Sequence, residues 1–276
     1  MNKYSANLQL KWLTVLRHFV LIGAVLLYLL PFLFALYTSF LDKPDIGKFV
    51  MPDRWVLENY RYVFDSGLLN WYKNTAIMSG GIILGNLIVN TMAGYALAKI
   101  KFPGNKLVFF IIIGTMMIPA QVTLVPIYSM SVQLGWVNTY QALIIPFLTS
   151  GMLTFFMRQF FLSIPHEIEE AARIDGLGRF GIFFRVVLPN ATTALATLVI
   201  FAFKDSWNSF LWPVTLTNKP GMHVITVGLN ALKGQYYEWI NITMTGVVCA
   251  TVPMVIVFIL LQKYFTKSIA MVGIKG

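Results

Sequence analysis

The chain has 276 residues, 57% of them hydrophobic and only 12% charged, whereas a soluble domain of this size carries about 25% charged residues. That shortage of charge excludes an ordinary soluble globular protein and points to lipid. The net charge of +10 is not gathered into a basic stripe with interleaved aromatics, which argues against a nucleic-acid partner.

Uncharged apolar runs near 20 residues are long enough to cross about 30 Å of hydrocarbon. They predict six spans, at 19–40, 76–98, 107–130, 139–157, 186–213 and 241–262. The first is too long for a signal-peptide core and lacks a small-residue cleavage site, so it reads as an uncleaved anchor. Six spans place both termini on one side. With the N-terminus inside, 13 lysines and arginines fall in cytoplasmic segments and 7 in external ones, Lys204 aside. The turn from Lys99 to Lys106 contains no acid at all. This bias predicts an N-in, C-in protein.

The predicted organisation is a cytoplasmic N-terminus at 1–18, a membrane domain at 19–266 and a cytoplasmic tail at 267–276. External loops lie at 41–75 and 214–240. Their aromatics, among them Trp55, Tyr60, Tyr62, Trp71, Tyr72, Tyr236, Tyr237 and Trp239, read as an interfacial belt, with sugar stacking as the alternative.

A polar interruption at 163–189 separates the fourth and fifth spans. Ser163 is read as an N-cap and Pro165 as a first-turn residue. Glu167, Glu169 and Glu170 suit the N-terminal end of a helix dipole. Ile164, Ile168, Ala171 and Ala172 recur at helical spacing, and Gly176 fits a left-handed C-cap. A second short helix over 179–185 then leads through Leu188 and Pro189 into the fifth span. The predicted shape is a rigid helix–turn–helix knob facing the cytoplasm.

Ionisable residues within membrane segments are functional suspects. Lys204 and Asp205 follow 18 residues of the fifth segment, about 27 Å of helix, so Lys204 reaches the outer interface. Lys204 and Asp205, with Trp207 and Trp212 flanking them as belt residues, are candidates for interface anchoring or for a vestibule or gate. Gln121 and Thr123 lie between Pro119 and Pro126, where a broken helix could line a cavity. Asn86, Asn90 and Thr115 suit interhelical hydrogen bonds, and Gly81 with Gly85 suits close helix packing. His18, His166 and His223 are too scattered for a metal site, and the single Cys249 excludes an internal disulfide.

The run Glu170-Ala-Ala-x3-Gly176-x9-Val186-x-Leu188-Pro189 resembles the EAA signature of permease subunits of bacterial ABC importers, with Val186 where isoleucine is usual. Ala93-Gly-Tyr-Ala-Leu-Ala-Lys99 with Phe102-Pro-Gly104, Met117-Ile-Pro119 with Pro126, Trp207-Asn-x-Phe-x-Trp-Pro213 and Lys275-Gly276 are similar to the second permease of maltose and multiple-sugar importers. The resemblance covers residues 15–276 and implies an all-α, type I importer fold with six transmembrane helices. It implies that the knob is a coupling helix docking on a separate cytoplasmic ATPase, through Glu170, Ala171, Ala172, Asp175 and Gly176, with Leu188 and Pro189 completing the motif. Through Trp207, Asn208 and Pro213 it implies the outer mouth of a pathway. It also implies that the loop tip at 219–234, with Lys219, Gly221, Lys233 and Gly234, contacts an external sugar-binding protein. The tail at 267–276 would reach the ATPase dimer.

The implied partners are a second permease chain, two ATPase subunits and the binding protein, in a bacterial or archaeal cytoplasmic membrane. The chain itself would be no enzyme and bind no cofactor. ATP and Mg would sit on the ATPase, in agreement with the lack of a GxxxxGK[ST] loop here. The expected cargo is a di- or oligosaccharide, with a polyol, glycerol phosphate or an acidic oligosaccharide as alternatives. A stand-alone channel or secondary transporter would need a buried ionic relay. A membrane enzyme would need clustered His, Asp or Glu near one interface. The sequence shows neither.

Overall fold

The computed structural model describes residues 3–42, 45–46, 54–232 and 239–273, which form helices and connecting turns with no strand among them. The chain is therefore an all-helical membrane protein, and it divides into two compact units. The first holds residues 1–66 and 232–249. Here α1 (Lys3–Ser39) ends at a polar knot beside α2 (Glu58–Asp65). Asn59 Nδ2 donates to the carbonyls of Ser39 and Leu41 at 2.9 and 3.0 Å. Asn241 Nδ2 reaches Leu41 O and Thr245 Oγ1 reaches Ser39 O. These bonds satisfy carbonyls freed where α1 stops, which hydrocarbon cannot do. Trp55, Phe40 and Tyr60 pack beside the knot, so these aromatics serve packing as well as any interfacial role.

The second unit comprises residues 67–231 and 250–276. Its axis is α3 (Leu68–Lys99), 32 residues long, or about 48 Å of helix. It starts eight residues before the predicted span because Gly67, at φ 111°, caps it in a left-handed conformation. Close packing explains its Gly81, Gly85 and Gly94. A Cβ on Gly81 would meet Ile144, one on Gly85 would meet Leu148 at 2.3 Å, and one on Gly94 would meet Met157 at 2.7 Å.

Three predicted spans are each broken in two. α4 (Asn105–Thr115) and α5 (Ala120–Gln133) meet at 95°. Pro119 sets this break, since it excludes helical geometry at the residue before it. α6 (Tyr140–Phe147) and α7 (Gly151–Leu162) meet at 41°. The third break corrects the boundary at 186. Residues 186–190 belong to α9 (Arg179–Asn190), and the apolar span α10 (Thr192–Trp207) departs from it at 77°. Phe183–Val187 is a π-helical turn. Pro189, lacking an N–H, cannot continue the ordinary i to i−4 ladder there, and π-turns and prolines are the usual causes of such bends. Beyond α11 (Leu211–Leu216) and α12 (Ile225–Ala231), α13 (Ile240–Gly273) closes the chain. Three unbroken helices, at 12–39, 68–99 and 240–263, are long and apolar enough to cross a membrane.

Candidate functional site

The polar segment folds as α8 (His166–Ile174), a glycine turn and α9. Ser163 does not cap α8. Its hydroxyl turns back to Phe160 O at 2.7 Å and closes α7, leaving Pro165 as the residue that opens α8. Gly176, at φ 83°, ends α8. Leu177 N bonds Ala172 O and Gly176 N bonds Arg173 O, both at 3.1 Å, which is a Schellman closure.

The orientation of α8 is the main structural finding. Its one acidic residue that is also buried, Glu169, shares the inward stripe with Ala172. Glu169 Oε1 lies 3.1 Å from Lys99 Nζ, both side chains being almost wholly buried. Lys99 Nζ also donates to Ile164 O at 2.6 Å, and Tyr95 Oη donates to Glu169 Oε2 at 3.4 Å. Tyr95 and Lys99 are one turn apart on α3, so one face of that helix grips α8. Each charge also suits its helix end, a cation at the C-terminus of α3 and a carboxylate in the first turn of α8. Gly94 completes the grip by letting α3 approach α7.

Around this ion pair, Ala172, Ile182, Phe183 and Val187 join Tyr95, Met157, Phe161 and Leu198 in one apolar core. Half-buried Leu188 packs against it, while Pro189 is exposed. The knob is thus continuous with α3, α7 and α10. What it presents outward is Glu170, Ala171 and Asp175, with Ile168, Ile174 and Phe180. Ile174 is 87% exposed and Phe180 73%. A surface that hides a carboxylate and displays aliphatic and aromatic groups is the pattern of a docking face. Of the predicted contact positions, Ala172 is inside and Gly176 shapes the turn.

The sequence reading missed Lys99, Tyr95 and Glu169 as functional positions. The signal was the spacing Glu169 to Ala172 together with Lys99, which ends a run at 74–98 that carries no charge.

A second site lies beside Met78 and Ile82 in the first half of α3. A cavity of about 440 Å³ is lined by Thr149, Ser150, Asp205, Ser206, Ser209 and Trp212, with Ala120, Phe147 and apolar neighbours. It sits where the α4–α5 and α6–α7 breaks open the helical wall. Asp205 lines it and pairs with Lys204 at 3.2 Å, both exposed. Gln121 is exposed and Thr123 turns its hydroxyl to Ala120 O; their neighbour Ala120 takes the lining position.

Trp207 is not a belt residue. It is buried, donates Nε1 to Ala250 O at 3.1 Å and packs against Phe203 and Tyr72. Asn208 caps α10 by donating to Lys204 O. Trp212 instead packs on Phe147 at the cavity wall.

The loop after α11 is folded back on α3. Asn74 Nδ2 donates to the carbonyls of Gly221 and His223, and Asn70 to Gly221. Asn138, at φ 63°, accepts from the backbone of Asn218 and Lys219. Burial lowers the His223 pKa from its ordinary value. Lys219 and Gly221 are exposed but anchored through their backbones. Lys233 and Gly234 lie outside the described residues, as does Lys275-Gly276. Among the described residues no three His, Cys, Asp or Glu side chains come together as a metal site would require.

Residues 90–271 match the family of binding-protein-dependent transport system inner membrane components. The chain is 36% identical to the arabinooligosaccharides transport system permease protein AraQ of Halalkalibacterium halodurans, over 82% of this chain and 81% of that one. It is 30% identical to the sn-glycerol-3-phosphate transport system permease protein UgpE of Brucella abortus, over 92% and 95%. Among solved structures, a chain of a bacterial ABC transporter involved in the import of the acidic polysaccharide alginate superposes with a TM-score of 0.79. That match has 25% identity and covers 92% of this chain and 97% of the other.

Proposed function

We propose, since this chain belongs to the family of binding-protein-dependent transport system inner membrane components and is a permease subunit of an ABC importer, that it forms half of the membrane pathway for a neutral oligosaccharide. In this reading the three long helices and the three bent pairs are six spans. The N-terminus, the C-terminus and α8–α9 face the cytoplasm, consistent with the basic bias of the sequence. The setting is a bacterial or archaeal cytoplasmic membrane. A second permease completes the pathway, two ATPase subunits hold ATP and Mg, and an external binding protein delivers the cargo.

The observation that carries coupling is α8 itself. It is fixed to α3 by a buried ion pair and to α7 and α10 by a shared core, while Ile168, Ala171, Ile174 and Phe180 look outward. A force applied by an ATPase at that face is transmitted to three membrane helices without a flexible joint. The unit takes up force through Glu170, Ala171 and Asp175, with Gly176 holding the angle of the turn. Gly176→Val meets open space but places a β-branched residue at φ 83°, a strain of about 1–3 kcal/mol. The variant complex is expected to assemble in the membrane yet lose ATPase attachment or coupled uptake. Gly178→Val, in the same turn at φ −72°, is expected to be mild. Normal sugar uptake by Gly176→Val would refute the coupling role.

The choice of a neutral cargo rests on the cavity between the broken helices. Its lining offers hydroxyls from Thr149, Ser150, Ser206 and Ser209, aromatic faces from Phe147 and Trp212, and one carboxylate, Asp205. No cation lines it. Hydroxyl-rich, uncharged sugars suit such a wall, whereas Lys204, the cation nearest it, is already paired with Asp205 at 3.2 Å and leaves a phosphate or uronate no unpaired partner there. Arabinooligosaccharides, the cargo named for one relative, fit this description. With the cognate binding protein, neutral oligosaccharides are expected to stimulate ATPase activity of the reconstituted complex. Stimulation by glycerol phosphate or alginate oligomers alone would reverse the assignment.

A further inference from the structure

Another cavity lies beside α8 and shares Lys99, Ile100, Lys101 and His166 with the one that contains Glu170 and Arg179. It encloses about 490 Å³ between the ends of α3, α4 and α7. Lys101, Lys106, Arg158 and His166 line it with Phe102 and Asn105, and no carboxylate faces it. Lys99 is also on its wall, but its charge is already matched by Glu169. Arg158 is held in place, its guanidinium 3.8 Å above the Phe109 ring and its Nε directed at Leu97 O. Lys101 and Lys106 are exposed, on long stems that can reach a headgroup while the stems stay against apolar surface.

The adjoining helix supplies the other half of a recognition site. α4 has no buried residue, and Leu107, Phe110 and Ile111 are all more than half exposed. A phosphate in the basic cavity and acyl chains along α4 would use both surfaces at once. The neighbouring cavity, which shares Lys101 and His166 and contains Glu169 and Glu170 as well as Arg173 and Arg179, has the mixed charge suited to a protein surface. On the side lined by Lys106 and Arg158 no carboxylate is present.

We infer that the cavity bounded by Lys101, Lys106 and Arg158 binds the headgroup phosphate of an anionic phospholipid in the leaflet beside the coupling helix. Basic pockets between membrane helices near one interface are suited to such headgroups, and each exposed lysine adds about fivefold to affinity through the surface field. Bound there, the lipid bridges the α3–α4 turn and α7, two of the elements that flank the coupling helix.

The inference relies on the proposed topology only for the choice of leaflet. Labelling of Lys101→Cys from each side of the membrane tests that topology separately. The test of the site is retention of phosphatidylglycerol by the purified transporter complex, titrated in phosphatidylcholine and read by native mass spectrometry. Lys101→Gln with Lys106→Gln is expected to weaken phosphatidylglycerol retention about 25-fold, with the thermal unfolding midpoint of the delipidated complex unchanged. Lys101→Arg with Lys106→Arg is expected to retain the lipid, and so is Lys219→Gln, which removes a distant charge. Unchanged retention in the glutamine pair, equal loss in the arginine pair, or equal loss in Lys219→Gln would each overturn the site. Displacement of the lipid by millimolar inorganic phosphate would assign the cavity to a free phosphate instead and equally overturn it.

Discussion

Glu169→Ala is expected to loosen the coupling segment by about 3–5 kcal/mol, the usual result of removing one partner of a buried ion pair. The cause is the charge left behind. Lys99 Nζ is almost wholly buried and would keep only the Ile164 carbonyl as a partner. Tyr95 would lose its acceptor in the same step. The loosening should appear as faster proteolysis at the 175–178 turn and as ATPase activity no longer tied to sugar. The pairwise nature of the effect can be isolated. Lys99→Met combined with Glu169→Met removes both charges at similar volume and should recover most of the stability, since buried pairs are often replaceable by apolar groups. A Glu169→Ala complex as protease-resistant and as tightly coupled as the parent would show that the ion pair does not position α8.

That pair also shows where sequence reasoning stops. The acids at 167, 169 and 170 were all accounted for by the helix dipole, which is true of each but says nothing about which one turns inward. Helical periodicity grouped Ile168 with Ala172, yet α8 is short and its core-facing stripe runs through Glu169 and Ala172. The apolar residues Ile168, Ala171 and Ile174 face outward. Gly176 was legible because a left-handed turn has so few alternatives. Gly81 and Gly85 were legible because small residues at that spacing allow a helix to approach closely.

The broken spans were only partly legible. A hydropathy window counts apolar residues whatever direction the chain takes, so the 95° and 77° bends leave no mark in it. Pro119 did mark a break. Pro189 did not, because a proline near a helix start is tolerated and the residues before it are as apolar as a span. The Ser163 hydroxyl could accept from an N–H of the next helix or donate to a carbonyl of the last one, and only the fold shows that it donates backward to Phe160 O. Trp207 looked like an interfacial anchor because tryptophan favours that depth. Its indole N–H instead finds Ala250 O inside the helix bundle.

Asn90→Leu is expected to be the most disruptive single change near the cargo cavity. Asn90 Oδ1 accepts three bonds, from Thr149 Oγ1 at 2.9 Å, Ser150 N at 3.1 Å and Thr154 Oγ1 at 2.9 Å. Its Nδ2 donates to Asn86 Oδ1, and Asn86 in turn bonds Phe147 O. These two asparagines therefore supply the partners that backbone and hydroxyl groups lose where α6 stops and α7 begins. Broken helices persist at membrane depth only when such groups are satisfied. Individual bonds between membrane helices average about 0.6 kcal/mol and reach about 1.7, so losing four at once should cost roughly 2–4 kcal/mol. Thr154→Val removes one bond and serves as the scale. Because Thr149 and Ser150 also line the cavity, Asn90→Leu should depress sugar-stimulated ATPase activity far more than Thr154→Val, alongside a larger fall in unfolding temperature. If the two variants matched in both measurements, Asn90 would be one bond among many, and the open wall between α6 and α7 would have to be held by something else.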